Sequence, residues 1–371
     1  MSQHQPTPPT SQNHLDSVQY LRAGAAIFVL IGHAMSAAVS ICSAGSDCSF
    51  QRPNWATGSG VDLFFIISGF IMVISSKKLF QAPDARKRFI ARRLSRIIPL
   101  YWACTTLFIM LSLLLSKTNI NIFHVLSSYL FFPWDADAAT DGFASPLYSL
   151  GWTLNYEMAF YVIFSSFIFL DKKRAISCTG LAIIIMVAIG CFTPKSYIPL
   201  YFWTRPIILE FILGVVLGYI YTQRSISINP VFRIILLLPI LLLIINPIID
   251  LQAARTPNSL VRVIGWGLPM FCIMLSAISG PVPLPKMMKK FLGSLGDASY
   301  SLYLIHPFCI VFSEKVYSYA VKNINMHLSI YVFFISTLIL SFIFSLISYT
   351  FFEKKIDSKV RSILFKRFSL A

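Results

Sequence analysis

Apolar runs about 20 residues long recur from one end of this chain to the other, and they leave few folds open. About 20 apolar residues in helical form cross the roughly 30 Å hydrocarbon layer of a bilayer. A backbone inside that layer must satisfy its own hydrogen bonds, which an α-helix does within one segment. The expected fold class is therefore all-α: a polytopic integral membrane protein. Ten spans are read, at about 17–41, 58–76, 94–115, 147–170, 175–192, 204–222, 231–248, 259–279, 296–318 and 328–352. The charge content agrees. Only 12% of the 371 residues are charged, where a soluble chain carries about a quarter.

An even number of spans puts both ends of the chain on one side. Lys and Arg number 31 against 15 Asp and Glu, an excess that in a soluble protein would suggest nucleic acid. Here topology accounts for it. With both termini in the cytoplasm, the segments 77–96, 172–174, 224–233, 286–290 and 354–367 face inward and hold 22 of those cations, against eight on the outer segments and adjoining span ends. Cytoplasmic loops carry such an excess, so cytoplasmic termini are expected and a nucleic-acid partner is not. Residues 1–14 are polar and rich in Pro, Ser and Thr, with no basic stretch. They read as a disordered tail rather than a cleavable signal. Residues 15–355 form the expected membrane domain, and 356–371 a short basic tail suited to anionic lipid headgroups.

An exported loop could hold a Cys42–Cys48 disulfide, or Cys42 could sit in the end of its span. The other five cysteines lie scattered in apolar runs without metal-ligand spacing, so no metal is expected.

Ionisable groups inside a span are costly and point to function or to a partner. In LDSVQYLRAGAAIFVLIGH, Arg22 and His33 stand 11 residues apart. That is nearly three helical turns, so they share a face about 16 Å apart along the axis. A snorkelling Arg with a satisfied His is the plain alternative. In RKRFIARRLSRIIPLYW, Arg93 and Arg96 share a face at the start of the third span. Such a basic border either anchors to headgroups or grips phosphate through paired guanidinium hydrogen bonds. Asp62 stands near the outer end of the second span, where Ser68–Gly69 reads most simply as a packing notch. Trp152 opens the fourth span, and Glu157 lies about mid-membrane, where a carboxylate must be paired, protonated or facing a wet cavity. It is a candidate partner for His33. Glu210 is another mid-span carboxylate, either paired to an arginine or chemical in role. In LGDASYSLYLIHPF, Ser299, Tyr303 and His306 follow one helical stripe, with Tyr300 on an adjacent face.

No nucleotide-binding loop, zinc-protease or serine-hydrolase motif is present. YLRAGAAIFVLIGH, GSGVDLFFIISGFIM, FIARRLSRIIPLYW, SLGWTLNYEMAFY and LGDASYSLYLIHPF, in this order, resemble acyltransferase family 3, the ten-helix membrane proteins that O-acylate carbohydrates. The first three look most like the branch that acetylates exopolysaccharide or its lipid-linked repeat unit. The resemblance covers about residues 15–355, and the chain departs from it in reading Thr153 where Ser is commoner.

The resemblance implies an acyl-CoA donor, usually acetyl-CoA, used as a substrate with no permanently bound cofactor. The acceptor is a hydroxyl of an exported polysaccharide or lipid-linked oligosaccharide, and the location is the bacterial plasma membrane. It places the donor on Arg22, Arg93 and Arg96, and catalysis on His33 with Glu157. Asp62, Trp152, Ser299, Tyr300, Tyr303 and His306 fall on the acceptor side. The sequence leaves room for homo-oligomers. A proton-coupled transporter or flippase of lipid-linked sugars is the competing expectation, since buried His and Glu also relay protons.

Overall fold

The chain's apolar runs become helices of unequal length, and no strand occurs among the described residues. The computed structural model describes residues 11–43, 50–53, 55–116, 120–134, 144–224, 226–245, 259–323 and 329–368. In chain order the helices are α1 (Ser11–Ser43), α2 (Ser59–Ser75), α3 (Ala85–Ser116), α4 (Ile122–Tyr129), α5 (Gly151–Phe167), α6 (Lys172–Gly190) and α7 (Ile198–Trp203). Next come α8 (Pro206–Gln223), α9 (Pro230–Ile235), α10 (Pro239–Ile245), α11 (Leu260–Ile278), α12 (Lys286–Asp297), α13 (Ser299–Asn323) and α14 (Ile330–Arg367).

Six helices among the described residues are long and apolar enough to cross a membrane, or seven if α12 and α13 count as one broken span. The ten expected runs all contain helix, but several are too short or interrupted to span by that measure. The run at 231–248 is divided into α9 and α10, with Pro239 opening the second helix. Its ring cannot continue the hydrogen-bond ladder of a helix arriving from before it. The run at 296–318 begins at a 77° bend between Asp297 and Ser299. Two helices also reach into the expected tails. Helix α1 already includes Ser11–His14, and α14 runs on through Arg367, because each residue added to an existing helix gains a hydrogen bond. Residues 1–10 and 369–371 lie outside the described residues.

Lipid tails are as apolar as the side chains, so packing within a membrane bundle depends on close approach more than on escape from water. The α2–α8 crossing shows how this is achieved. A Cβ on Gly214 would lie 1.9 Å from the Ile66 carbonyl oxygen, and one on Gly69 would lie 2.2 Å from that of Phe211. Only hydrogen at these positions lets the two backbones touch. Around the contact, Phe211 stacks between Phe65 at 4.6 Å and Phe160 at 4.4 Å. Each such pair contributes about 0.5–1.5 kcal/mol beyond its buried area. Helix α1 threads the bundle against α2, α12, α13 and α14, which brings its polar face to the centre.

Candidate functional site

Three adjoining cavities follow the polar face of α1. At the Arg22 end is a basin of about 900 Å³, bounded by Arg22, Arg96, Lys289, Lys290, Asp16 and Asp297. It shares Arg22, Ile71 and Arg96 with a middle chamber of about 100 Å³. That chamber shares Val61 and Tyr303 with a third cavity of about 230 Å³ holding His33. The 11-position step from Arg22 to His33 therefore measures a route from a cationic basin to an imidazole.

The middle chamber gathers the costly polar groups of five helices. Arg22 and Arg93 are 7% and 9% exposed, so both guanidiniums are largely out of solvent. Arg22 donates to Gln19 at 3.0 Å, and Arg93 donates to the Ser75 hydroxyl at 2.8 Å. Gln19 in turn donates to Asp297 at 2.8 Å, tying α1 to α12. Glu157 Oε1 accepts from Ser68 at 2.9 Å and from the Tyr161 phenol. Its charge acts on both Arg22 and Arg93. Ser299, fully buried, lines this chamber with no hydrogen-bond partner for its hydroxyl. Tyr300 donates to the Ile97 carbonyl at 2.7 Å, which locks α13 to α3.

The third cavity is aromatic. Trp55, Trp152 and Trp266 line it with His33, Arg52 and Thr57. His33 is exposed to this space, whereas His306 is fully buried. Their rings meet, His33 Nδ1 to His306 Nε2, at 2.9 Å. His306 Nδ1 lies 3.0 Å from the Leu302 carbonyl one turn earlier. Tyr303 marks the boundary between chamber and cavity, its phenol 3.1 Å from the Thr153 hydroxyl and 3.2 Å from the Leu150 carbonyl.

The structure thus gathers Arg22, Arg93, Arg96, Glu157, Ser299, Tyr300 and Tyr303 around the chamber, and His33, Trp152 and Tyr303 around the cavity. Two expectations change. Glu157 does not partner His33, because its hydrogen bonds run to Ser68 and Tyr161 while the His33 ring runs to His306. Asp62, expected on the acceptor wall, is fully buried and lines none of the three cavities. It holds Arg262 through two hydrogen bonds, 3.0 Å from Nε and 2.7 Å from Nη2. Glu210 is close enough to act on that pair, and Arg262 also lies over the Trp266 ring. The Ser68–Gly69 notch divides its labour: Gly69 packs, and Ser68 binds Glu157.

Several site residues went unread in the sequence. Tyr161 stands four residues after Glu157, a helical spacing that could have flagged it. Lys289, Lys290, Arg52 and Trp266 carry no local signal for their positions. Cys42 is disulfide-bonded, and its expected partner, Cys48, lies outside the described residues. Among the described residues no group of three His, Cys, Asp or Glu side chains is placed to hold a metal ion.

Comparison with known proteins decides the family. Residues 15–346 match the acyltransferase domain Acyl_transf_3. The chain belongs to acyltransferase family 3. This acyltransferase-3 chain is 30% identical to the exopolysaccharide production protein ExoZ of Rhizobium meliloti (strain 1021), over 68% of this chain and 76% of that one. It is 27% identical to the O-acetyltransferase OatA of Staphylococcus aureus (strain NCTC 8325 / PS 47), over 94% of this chain. The match takes in 58% of OatA, so the chain spans little more than half the length of that relative. No solved structure matches. Family and apolar helices together make the chain a multi-pass membrane protein. The family acts by acyl transfer, which leaves the transporter expectation without support.

Proposed function

We propose that the protein transfers an acyl group, most simply acetyl, from acyl-CoA to a hydroxyl of an exported polysaccharide or its lipid-linked precursor. The observation that carries this reading is the line of cavities joining buried arginines to an accessible histidine. Arg22, Arg93 and Arg96 suit the donor's phosphates, since guanidinium pairs bind phosphate oxygens through parallel hydrogen bonds. Lys289 and Lys290 add charge where the basin opens. The middle chamber, where Phe64, Phe65 and Ile71 stand beside hydroxyls such as Ser299, suits a pantetheine arm, an aliphatic stem carrying two amides. Its small volume, about 100 Å³, keeps the nucleotide in the basin.

The acceptor enters the cavity of tryptophans, whose flat faces pack well against sugar rings. His33 takes the proton of the acceptor hydroxyl as its oxygen attacks the thioester carbonyl. The C–S bond breaks, and the thiolate leaving group receives that proton. Imidazole titrates near neutrality, which suits both halves of the exchange. Ser299 offers a free hydroxyl to a bound donor, and Glu157 balances the arginines. With both termini in the cytoplasm, as the cation asymmetry of the sequence favours, the basin opens to the cytoplasm and the tryptophan cavity to the outside. The bacterial plasma membrane is the setting.

Replacing His33 and Arg93 singly with Ala tests the assignment in purified protein supplied with acetyl-CoA. The His33→Ala variant is expected to lose about 10²–10⁴-fold in turnover, the usual range for a general base. Arg93→Ala is expected to raise the KM for acetyl-CoA. Normal transfer by His33→Ala at normal protein levels removes the catalytic assignment, and unchanged donor binding by Arg93→Ala removes the phosphate one.

A further inference from the structure

We infer that His306 is a positioning residue that fixes the ring tautomer of His33, so that Nε2 of His33 is the atom left bare toward the acceptor cavity. The inference rests on the acyl-transfer reading for its purpose, though not for its geometry.

A chain of three groups settles the direction of each proton. The Leu302 carbonyl can only accept, so His306 Nδ1, 3.0 Å away, carries a hydrogen. His306 is fully buried, and a buried cation without a carboxylate partner is costly. The hydrogen bonds of its ring run to the Leu302 carbonyl and to His33, neither of which is anionic. The ring is therefore neutral, and its second nitrogen, Nε2, bears a lone pair. That lone pair faces His33 Nδ1 at 2.9 Å, and two lone pairs cannot meet at that distance. His33 Nδ1 must supply the hydrogen, which leaves the lone pair of His33 on Nε2.

The arrangement resembles the logic of a catalytic triad, in which a third group selects the tautomer and orientation of the basic histidine. Here the third group is a neutral imidazole held by a backbone carbonyl of its own helix. It steadies the imidazolium that forms on proton uptake without placing a fixed negative charge beside it. The charged groups that face His33 across the cavity are Arg52 and Arg262, with the Tyr303 phenol as a further titratable group. The Asp62 carboxylate neutralises Arg262, and Arg52 donates to the Ser36 hydroxyl at 2.9 Å.

The test compares His306→Phe, which keeps a ring but accepts nothing, with His306→Gln, whose amide oxygen can accept from His33 Nδ1. Nitrogen-15 spectra of the histidine rings in full-length protein report the tautomer, with His33→Gln used for assignment. Kinetics with acetyl-CoA are measured in parallel. The expected result is an Nδ1-protonated His33 in the unaltered protein and its loss in His306→Phe. Turnover falls about 100-fold in that variant while the KM for acetyl-CoA stays within twofold. His306→Gln is expected to recover at least tenfold of the loss, which a purely structural role would not predict. A His33 protonated at Nε2 in the unaltered protein overturns the inference even if neither variant folds. Turnover within twofold of normal in His306→Phe also overturns it. If the unaltered protein consumes no acetyl-CoA, the functional reading fails, while the spectra still decide the tautomer.

Discussion

Removing the Arg262 guanidinium would leave Asp62 and Glu210 buried together without a cation. Breaking a buried pair on one side costs about 3–5 kcal/mol, whereas replacing both sides with apolar groups is often neutral. Arg262→Met is therefore expected to destabilise by about that amount, read from detergent unfolding curves, and adding Asp62→Leu is expected to recover at least half. Glu157→Gln should behave differently. It keeps an acceptor for Ser68 and Tyr161 but removes the negative charge that acts on Arg22 and Arg93. A more positive chamber should lower the KM for acyl-CoA and, by holding the donor too firmly, lower turnover, with stability almost unchanged. Steady-state kinetics on the purified variant separate the two effects. Sequence spacing placed Arg22 and His33 on one face and marked Ser299, Tyr303 and His306 as one stripe. It could not pair His33 with His306, because the two are 273 positions apart and meet only through the docking of α1 on α13. Asp62 was misplaced for the same reason, its partner lying 200 positions away.

The contact between α2 and α8 governs more than stability. A side chain on Gly214 must push the α2 backbone away at Ile66, two residues before Ser68. Gly214→Val is expected to cost about 1–3 kcal/mol by overpacking. It should also shift Ser68 away from Glu157, so acyl transfer falls in the fraction that remains folded. Thermal unfolding in detergent and transfer assays on the same preparation test both claims; wild-type values in both would leave the close approach without consequence. Element existence was legible because a lipid-spanning helix writes an unbroken apolar run. Element shape was less so. The 77° bend after Asp297 and the π-helical turns at Val263–Gly267 and Tyr349–Glu353 depend on what each helix packs against. The second of these turns buries Glu353, which accepts from Ser301 at 2.6 Å, a role that no spacing along the chain announces.

Over the whole molecule, charge and cavity size work together. The basin's four cations against two carboxylates attract a polyanion, and salt screens such attraction over about 8–10 Å. Raising the salt concentration is therefore expected to raise the KM for acyl-CoA. A Lys289→Ala, Lys290→Ala double variant should show a higher KM and a flatter salt dependence, with turnover at saturating donor little changed. Equal salt slopes in both proteins would take those lysines out of the donor site. The narrow middle chamber has a further consequence for the cell. A polyphosphate moved through hydrocarbon would face a steep electrostatic barrier, but a chamber too small for a nucleotide never lets it try. On the proposed reading, what crosses is an uncharged two-carbon fragment, handed from a carrier that stays on one face to a sugar that stays on the other. That reading lets the membrane decorate its exterior from an internal metabolite pool while keeping its ion gradients sealed through every turnover.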